Sequence, residues 1–100
     1  MVHIVRGFMI RGYLEGAYAT LLRMEKRGED LKELGLRVRE RRKQLGFSQE
    51  KFAQHTGIDR SYMGCIERGE RNISFWLLCD VAEALDCDLG TLTAGLPKSK

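Results

Sequence analysis

One hundred residues, 43% apolar and 31% charged with a formal charge of +3, are enough for one compact domain with a single core and too few for two. No apolar stretch approaches the roughly 18 residues that span a bilayer, and no long apolar run followed by a small-residue cleavage site opens the chain, so a soluble cytoplasmic protein is expected. A single proline and few β-branched runs point to an all-α fold.

The charge is unevenly spread. Residues 1–35 carry 6 basic and 5 acidic groups, residues 36–71 carry 9 and 5, and residues 72–100 carry 2 and 4. A basic middle and an acidic C-terminal third suggest a polyanionic partner, although a run such as Arg39, Arg41, Arg42 and Lys43 also reads as a solvated helix face. Cys65, Cys79 and Cys87 are an odd set without CxxC spacing, and His3 and His55 complete no ligand pattern with them. Reduced thiols are expected, with no metal, cofactor or small-molecule ligand.

Residues 1–30 form an N-terminal extension of mixed signals. An accessory helix is expected around 13–27, with Phe8, Ile10, Tyr13, Leu14, Tyr18, Leu21 and Leu22 packing on the domain or on a second subunit. Gly7, Gly12 and Gly16 weaken a helix, and VHIV and FMI suit a strand, so residues 1–12 stay open. Met24 begins MEKRGEDLKELG, a natural domain start, so the alternative to an accessory helix is that residues 1–23 come from an upstream start codon or an expression vector.

The domain proper is expected over 31–96. Leu31, Leu34, Val38 and Leu45 place one helix at about 31–45, ended by Gly46. Four times thereafter an apolar residue, a Ser or Asp cap and an apolar residue four positions into the helix recur: Phe47-Ser48 with Phe52, Ile58-Asp59 with Met63, Ile73-Ser74 with Leu78, and Cys87-Asp88 with Leu92. This is the hydrophobic staple around a capped helix start. It predicts helices at 49–56, 60–68, 75–86 and 89–94, with Gly57 and Gly69 closing the first two. Residues 97–100 are expected to fray.

The segment HTGIDRSYMGCIERG, residues 55–69, holds the side-chain types of a hydrolase. On a helical wheel, however, Tyr62, Met63 and Ile66 form a core arc, leaving Arg60, Ser61, Gly64, Cys65 and Arg68 outward. His55 falls on the preceding helix as a solvated side chain, and no nucleophile elbow or phosphate-binding glycine loop occurs, so an enzyme is not expected. Two arginines, a hydroxyl, a thiol and a glycine suit contact with phosphates and base edges.

SQEKFAQHTGIDRSYMGCIERGERNIS resembles the helix-turn-helix of the lambda repressor and Cro family of XRE-type regulators, and the likeness runs from about Leu34 to Leu96. ERGERNIS is further similar to the controller proteins of restriction-modification systems. The resemblance implies a five-helix, lambda-repressor-like DNA-binding domain in which Arg60, Ser61 and Cys65 face bases. Gln49 would brace on phosphate, and Arg42 and Glu67 would join the first helix to the third by a salt bridge. Arg39, Lys43, Lys51, Arg68, Arg71 and Asn72 are the accompanying phosphate candidates, a plain loop being the alternative for the last two. Cys65 departs from the longer polar residue of many relatives and cannot make a bidentate base contact; Arg60 can.

The function expected is a sequence-specific double-stranded DNA-binding transcriptional regulator, a homodimer on a pseudo-palindromic operator. Leu89, Leu92, Leu96, Phe75 and Trp76 are candidate dimer contacts, with core closure as the alternative. Two other functions stay open: an antitoxin whose N-terminal segment covers a toxin, and a protein-interaction module that has lost DNA binding.

Overall fold

In the computed structural model, which describes residues 6–98 and of residues 6–14 the backbone alone, five helices follow one another with no strand among the described residues. They are α1 (Arg6–Gln44), α2 (Gln49–Thr56), α3 (Arg60–Arg68), α4 (Phe75–Ala84) and α5 (Leu89–Thr93). Ser48, Asp59, Ser74 and Asp88 cap α2 to α5, their side-chain oxygens accepting from the backbone N–H of Lys51, Tyr62, Leu77 and Thr91. Each bond satisfies one donor that a helix start leaves orphaned. At Asp88 the Thr91 amide and hydroxyl both donate to the carboxylate and hold its pKa below the usual carboxylate range.

The N-terminal half differs from expectation. In place of an accessory helix ending near 27 and a new start near Asp30, α1 runs unbroken for 39 residues, about 58 Å at 1.5 Å per residue, within overall extents of 63 × 25 × 19 Å. Glycine weakens a helix without removing a backbone donor, as proline would, and the intervening Leu, Arg, Met, Glu and Lys residues are good helix formers. Tyr18, Leu21 and Leu22 do not pack on the domain, since α1 extends past it; all three are exposed. The packing expected of residues 8–14 lies outside the described side chains, as do Ser99 and Lys100. Lys98 does not fray: its backbone N–H donates to Asp30 at 3.0 Å and its ammonium meets Glu33 at 2.9 Å.

The core is one cluster in which Val38, Phe52, Met63, Val81, Leu85 and Leu92 are fully buried, joined by Leu34, Ala53 and Ala82. Leu45, expected on the core face, is instead exposed beyond the end of α1; Arg42 takes the buried position one turn after Val38. Two further arginines of α1 close the ends of other helices. Arg37 donates to the carbonyls of Leu92 and Ala94, and Arg41 to those of Leu85 and Asp86. They satisfy acceptors that the C-termini of α5 and α4 leave open, so Arg41 is not part of a solvated basic face.

Where α1 crosses the C-terminal end of α3, the helices touch backbone to backbone. A Cβ built on Gly35 would sit against the carbonyl oxygens of Ile66 and Glu67, closer than real Cβ atoms approach, and one on Gly69 would meet the backbone of Leu31 and Lys32. Gly69 is also left-handed (φ +71°), with its N–H donating to Ile66 and that of Glu70 to Cys65, a Schellman ending of α3. Replacing Gly35 with Ala should force α1 and α3 apart and cost about 1–3 kcal/mol, typical of overpacking, measurable as a lower urea midpoint at unchanged m-value.

Candidate nucleic-acid interface

The turn between α2 and α3 is fixed by short local bonds. Thr56 donates its hydroxyl to the Ala53 carbonyl at 3.0 Å and accepts from the Ile58 N–H at 3.2 Å, Gly57 is left-handed at φ +76°, and Asp59 starts α3. Phe52 and Ala53 of α2 and Met63 and Ile66 of α3 are buried, which fixes the rotation of α3 about its own axis. Arg60 and Ser61 are then exposed, Cys65 is half-buried and Arg68 exposed on the opposite side. Together with Gln49 and Gly64 these four line one shallow concavity. His55, placed on the surface, lays its ring against Phe47 at 5.2 Å between centroids.

Beside that concavity, across Gln49, lies the buried pair of Arg42 and Glu67. The guanidinium forks onto the carboxylate, Nε to Oε2 at 2.6 Å and Nη2 to Oε1 at 2.9 Å, with side chains only 7% and 3% exposed. Arg42 Nη1 also donates to the Phe47 carbonyl at 2.8 Å, and Gln49 Nε2 to Glu67 Oε1 at 3.2 Å. One charge pair thus joins α1, the loop to α2, the first residue of α2 and the last turn of α3. Bidentate, nearly dry geometry places it among pairs whose disruption is expensive, unlike a surface bridge.

The expected site residues divide. Arg39 borders a second concavity with Arg42, Gln49, Glu67 and Arg68, continuous with the first through Gln49 and Arg68. Lys43 and Lys51 are exposed, in the last turn of α1 and the first of α2, and border neither. Arg71 sits 5.8 Å over the Tyr62 ring, a cation–π contact that steadies it beside α3. Asn72 lies elsewhere, on the groove between α1 and the end of α5. Gly64 is not open as the wheel suggests: it is buried, and the side chains of Arg68 and Gln49 lie 3.0 and 3.5 Å from where its Cβ would be.

Arg68 carries its own counter-ion. Its Nε and Nη2 meet Glu70 at 3.0 and 3.1 Å, and Nη2 reaches the Cys65 sulfur at 3.6 Å. The hydrogen bonds hold Glu70 below and Arg68 above their ordinary pKa ranges. Arg39, Lys43, Lys51, Arg60 and Arg71, by contrast, have no ion pair among the described residues. Of the expected dimer contacts, Leu92 is 1% exposed and fully used by the core, so it offers no surface; Leu89 and Leu96 are half-buried, while Phe75 and Trp76 are 66% and 82% exposed.

A helix-turn-helix domain family model matches residues 33–96, the span of these elements from the crossing of α1 to the end of α5. The chain belongs to the helix-turn-helix domain family. This helix-turn-helix chain is 39% identical over 64 residues to the control protein C.SmaI of Serratia marcescens, covering 63% of this chain and 76% of that one. It is 44% identical over 52 residues to YazB, an HTH-type transcriptional regulator of Bacillus subtilis, covering 52% and 75%. Among solved structures it superposes on the restriction-modification controller protein C.AhdI of Aeromonas hydrophila with a TM-score of 0.62 and 45% identity, over 64% of this chain and 97% of that one. An HTH_3 family transcriptional regulator of Vibrio cholerae matches with a TM-score of 0.63 and 26% identity, over 72% and 40%. No helix among the described residues is long and apolar enough to cross a membrane.

Breaking the buried pair should be felt both in stability and at the reading surface. Arg42→Met leaves Glu67 buried and unpaired and should cost about 3–5 kcal/mol. Pairing it with Glu67→Leu removes the stranded charge and should recover most of that loss. Chemical denaturation of the single and double variants checks both; a single variant as stable as the parent would remove the pair's structural role.

Proposed function

We propose that this helix-turn-helix DNA-binding transcriptional regulator acts as a two-fold dimer on a pseudo-palindromic operator, as the controller of a restriction-modification system. The observation that carries this reading is the single face on which Arg60, Ser61, Cys65, Gln49, Arg68 and Arg39 meet. A cationic, shallow surface centred on the outward side of α3 matches a major groove better than a small-molecule cleft. The likeness to C.AhdI, a restriction-modification controller protein, supplies the restriction-modification context, and the likeness to the control protein C.SmaI agrees with a controlling role.

In this reading α3 enters the major groove. Arg60 offers the bidentate contact that selects guanine, worth about 1–3 kcal/mol of discrimination. Ser61 bonds a base edge, and the Cys65 thiol packs on a thymine methyl. Gln49, Arg39, Lys43, Lys51, Arg68 and Arg71 hold phosphates and set the register of the helix without reading sequence. Asn72 borders a different groove and takes no part in this surface. Arg68 reaches phosphate only by letting go of Glu70. One protomer covers too few base pairs for a genomic address, so two copies join through apolar surface, with Phe75, Trp76, Leu89 and Leu96 as the contacts. Regulation follows by occupancy in the cytoplasm, with no reaction catalysed.

Selection from random duplexes should return a pseudo-palindrome with half-sites about 34–36 Å apart or a multiple of that; failure to enrich any motif would sink the reading. Arg60→Ala should relax one base position per half-site. Arg71→Ala should instead weaken all sequences alike and make the salt slope shallower by about one per half-site. Glu70→Gln frees Arg68, so it should tighten binding to every sequence and steepen the salt slope by about the same amount; an unchanged slope removes Arg68 from the phosphate contacts.

A further inference from the structure

Three exposed cations of α1 share one side of the helix. At about 3.6 residues per turn and 1.5 Å per residue, Lys32, Arg39 and Lys43 fall within about 40° of one another on a stripe about 16.5 Å long. None of the three has an ion pair among the described residues. Arg39 fixes which way the stripe looks, because it borders the concavity that runs on through Gln49 and Arg68 to Arg60, Ser61 and Cys65. Arg39 and Lys43 hold phosphates in the reading proposed above; Lys32 has no role there.

Lys32 is positioned by the backbone crossing of α1 and α3. A Cβ on Gly69 would lie 2.6 Å from the backbone N and Cα of Lys32, so this lysine leaves α1 where α3 ends. Acids that could neutralise it are engaged elsewhere. Glu33 is held by Arg37 and Lys98, and Glu70, the residue after Gly69, by Arg68. Glu29, one turn earlier on α1, forms no ion pair with it among the described residues. Further toward the N-terminus the same helical phase brings Glu25 and Leu21, so the cationic stripe stops at Lys32.

We propose that Lys32 is a further DNA phosphate contact, the outermost on α1, and that the bound surface extends past the end of α3 along this stripe. The inference rests on the DNA-binding reading above. An ammonium on a flexible stem suits a phosphate whose place is set by other contacts, since it acts as a point charge and needs no fixed fork geometry. Seven residues, about 10 Å of helix, separate Lys32 from Arg39. That is about three times the 3.4 Å axial spacing of phosphates along one strand, so the contact adds to that of Arg39. The competing role for a cation at this place is to face the carbonyl end of α3 and complement its dipole. A dipole role would be felt in stability and would leave the salt dependence of DNA binding unchanged.

The test is fluorescence anisotropy of a labelled duplex of arbitrary sequence, titrated between 50 and 200 mM salt with the parent, Lys32→Gln, Lys32→Arg and Lys26→Gln. Lys32→Gln should weaken binding at 50 mM salt and make the salt slope shallower by about 0.9 per bound protomer. Its deficit against the parent should therefore shrink about 3.5-fold per protomer across that range. Lys32→Arg should keep the parent slope, as should Lys26→Gln, whose side chain starts about 120° around α1 from Lys32. A Lys32→Gln slope equal to the parent's overturns the proposal, and so does a lowered thermal transition without a change in slope, the mark of the dipole role. An equal loss of slope in Lys26→Gln also overturns it, because the effect would then belong to net charge. In each of these outcomes the parent still binds the duplex and the DNA-binding reading stands; a parent that binds no duplex at 50 mM salt overturns both.

Discussion

The bond between Arg42 and Glu67 is the constraint on which the reading surface depends. Packing of Met63 and Ile66 decides which side of α3 looks outward, but apolar contact tolerates small slides and rotations. A forked guanidinium–carboxylate contact does not: two short bonds set direction as well as distance. Because the same Arg42 holds the Phe47 carbonyl and the same Glu67 holds Gln49, the loop, α2 and α3 are referenced to α1 through one point. Charge burial here supplies position more than stability. An apolar substitute could hold the helices together while leaving Gln49 without its fixed partner.

The domain's fold was legible because its signals are local. A capping hydroxyl or carboxylate and its two flanking apolar side chains lie within six residues, so Ser48, Asp59, Ser74 and Asp88 announce their helices without knowledge of the partners. What escaped notice depends on contacts far apart in the chain. Arg37 and Arg41 look like members of a basic run until their carbonyl partners, 44 to 57 residues away, are in place. Gly35 reads as an ordinary weak spot in a helix until the backbone of α3 lies against it. The N-terminal half of α1 misleads in the opposite sense. Its glycines lower propensity, whereas continuity with a well-anchored helix removes the cost of nucleation.

At the reading surface, the helical wheel separated inward from outward residues because α3 is short and strongly two-faced. Wheel geometry shows where a side chain starts, not what its neighbours lay across it. Gly64 starts outward yet is roofed by Arg68 and Gln49, and Arg68 itself is claimed by Glu70, two residues along and past the helix end. A charge sum over the segment counts Arg68 as available cation; the geometry pairs it. Leu92 illustrates the same limit for apolar residues, since a leucine spaced for an interface and one spaced for a core have the same periodicity.

The exposed ring of Trp76 has a practical consequence. It is the chain's single tryptophan and stands at the first turn of α4 with 82% of its surface in water. Its indole emission is therefore already near the fully hydrated limit in the folded protomer, so melting the core changes its surroundings little. Docking another surface over it would expel that water and move the emission to the blue. The molecule thus carries a built-in optical label that is nearly silent to unfolding and responsive to company.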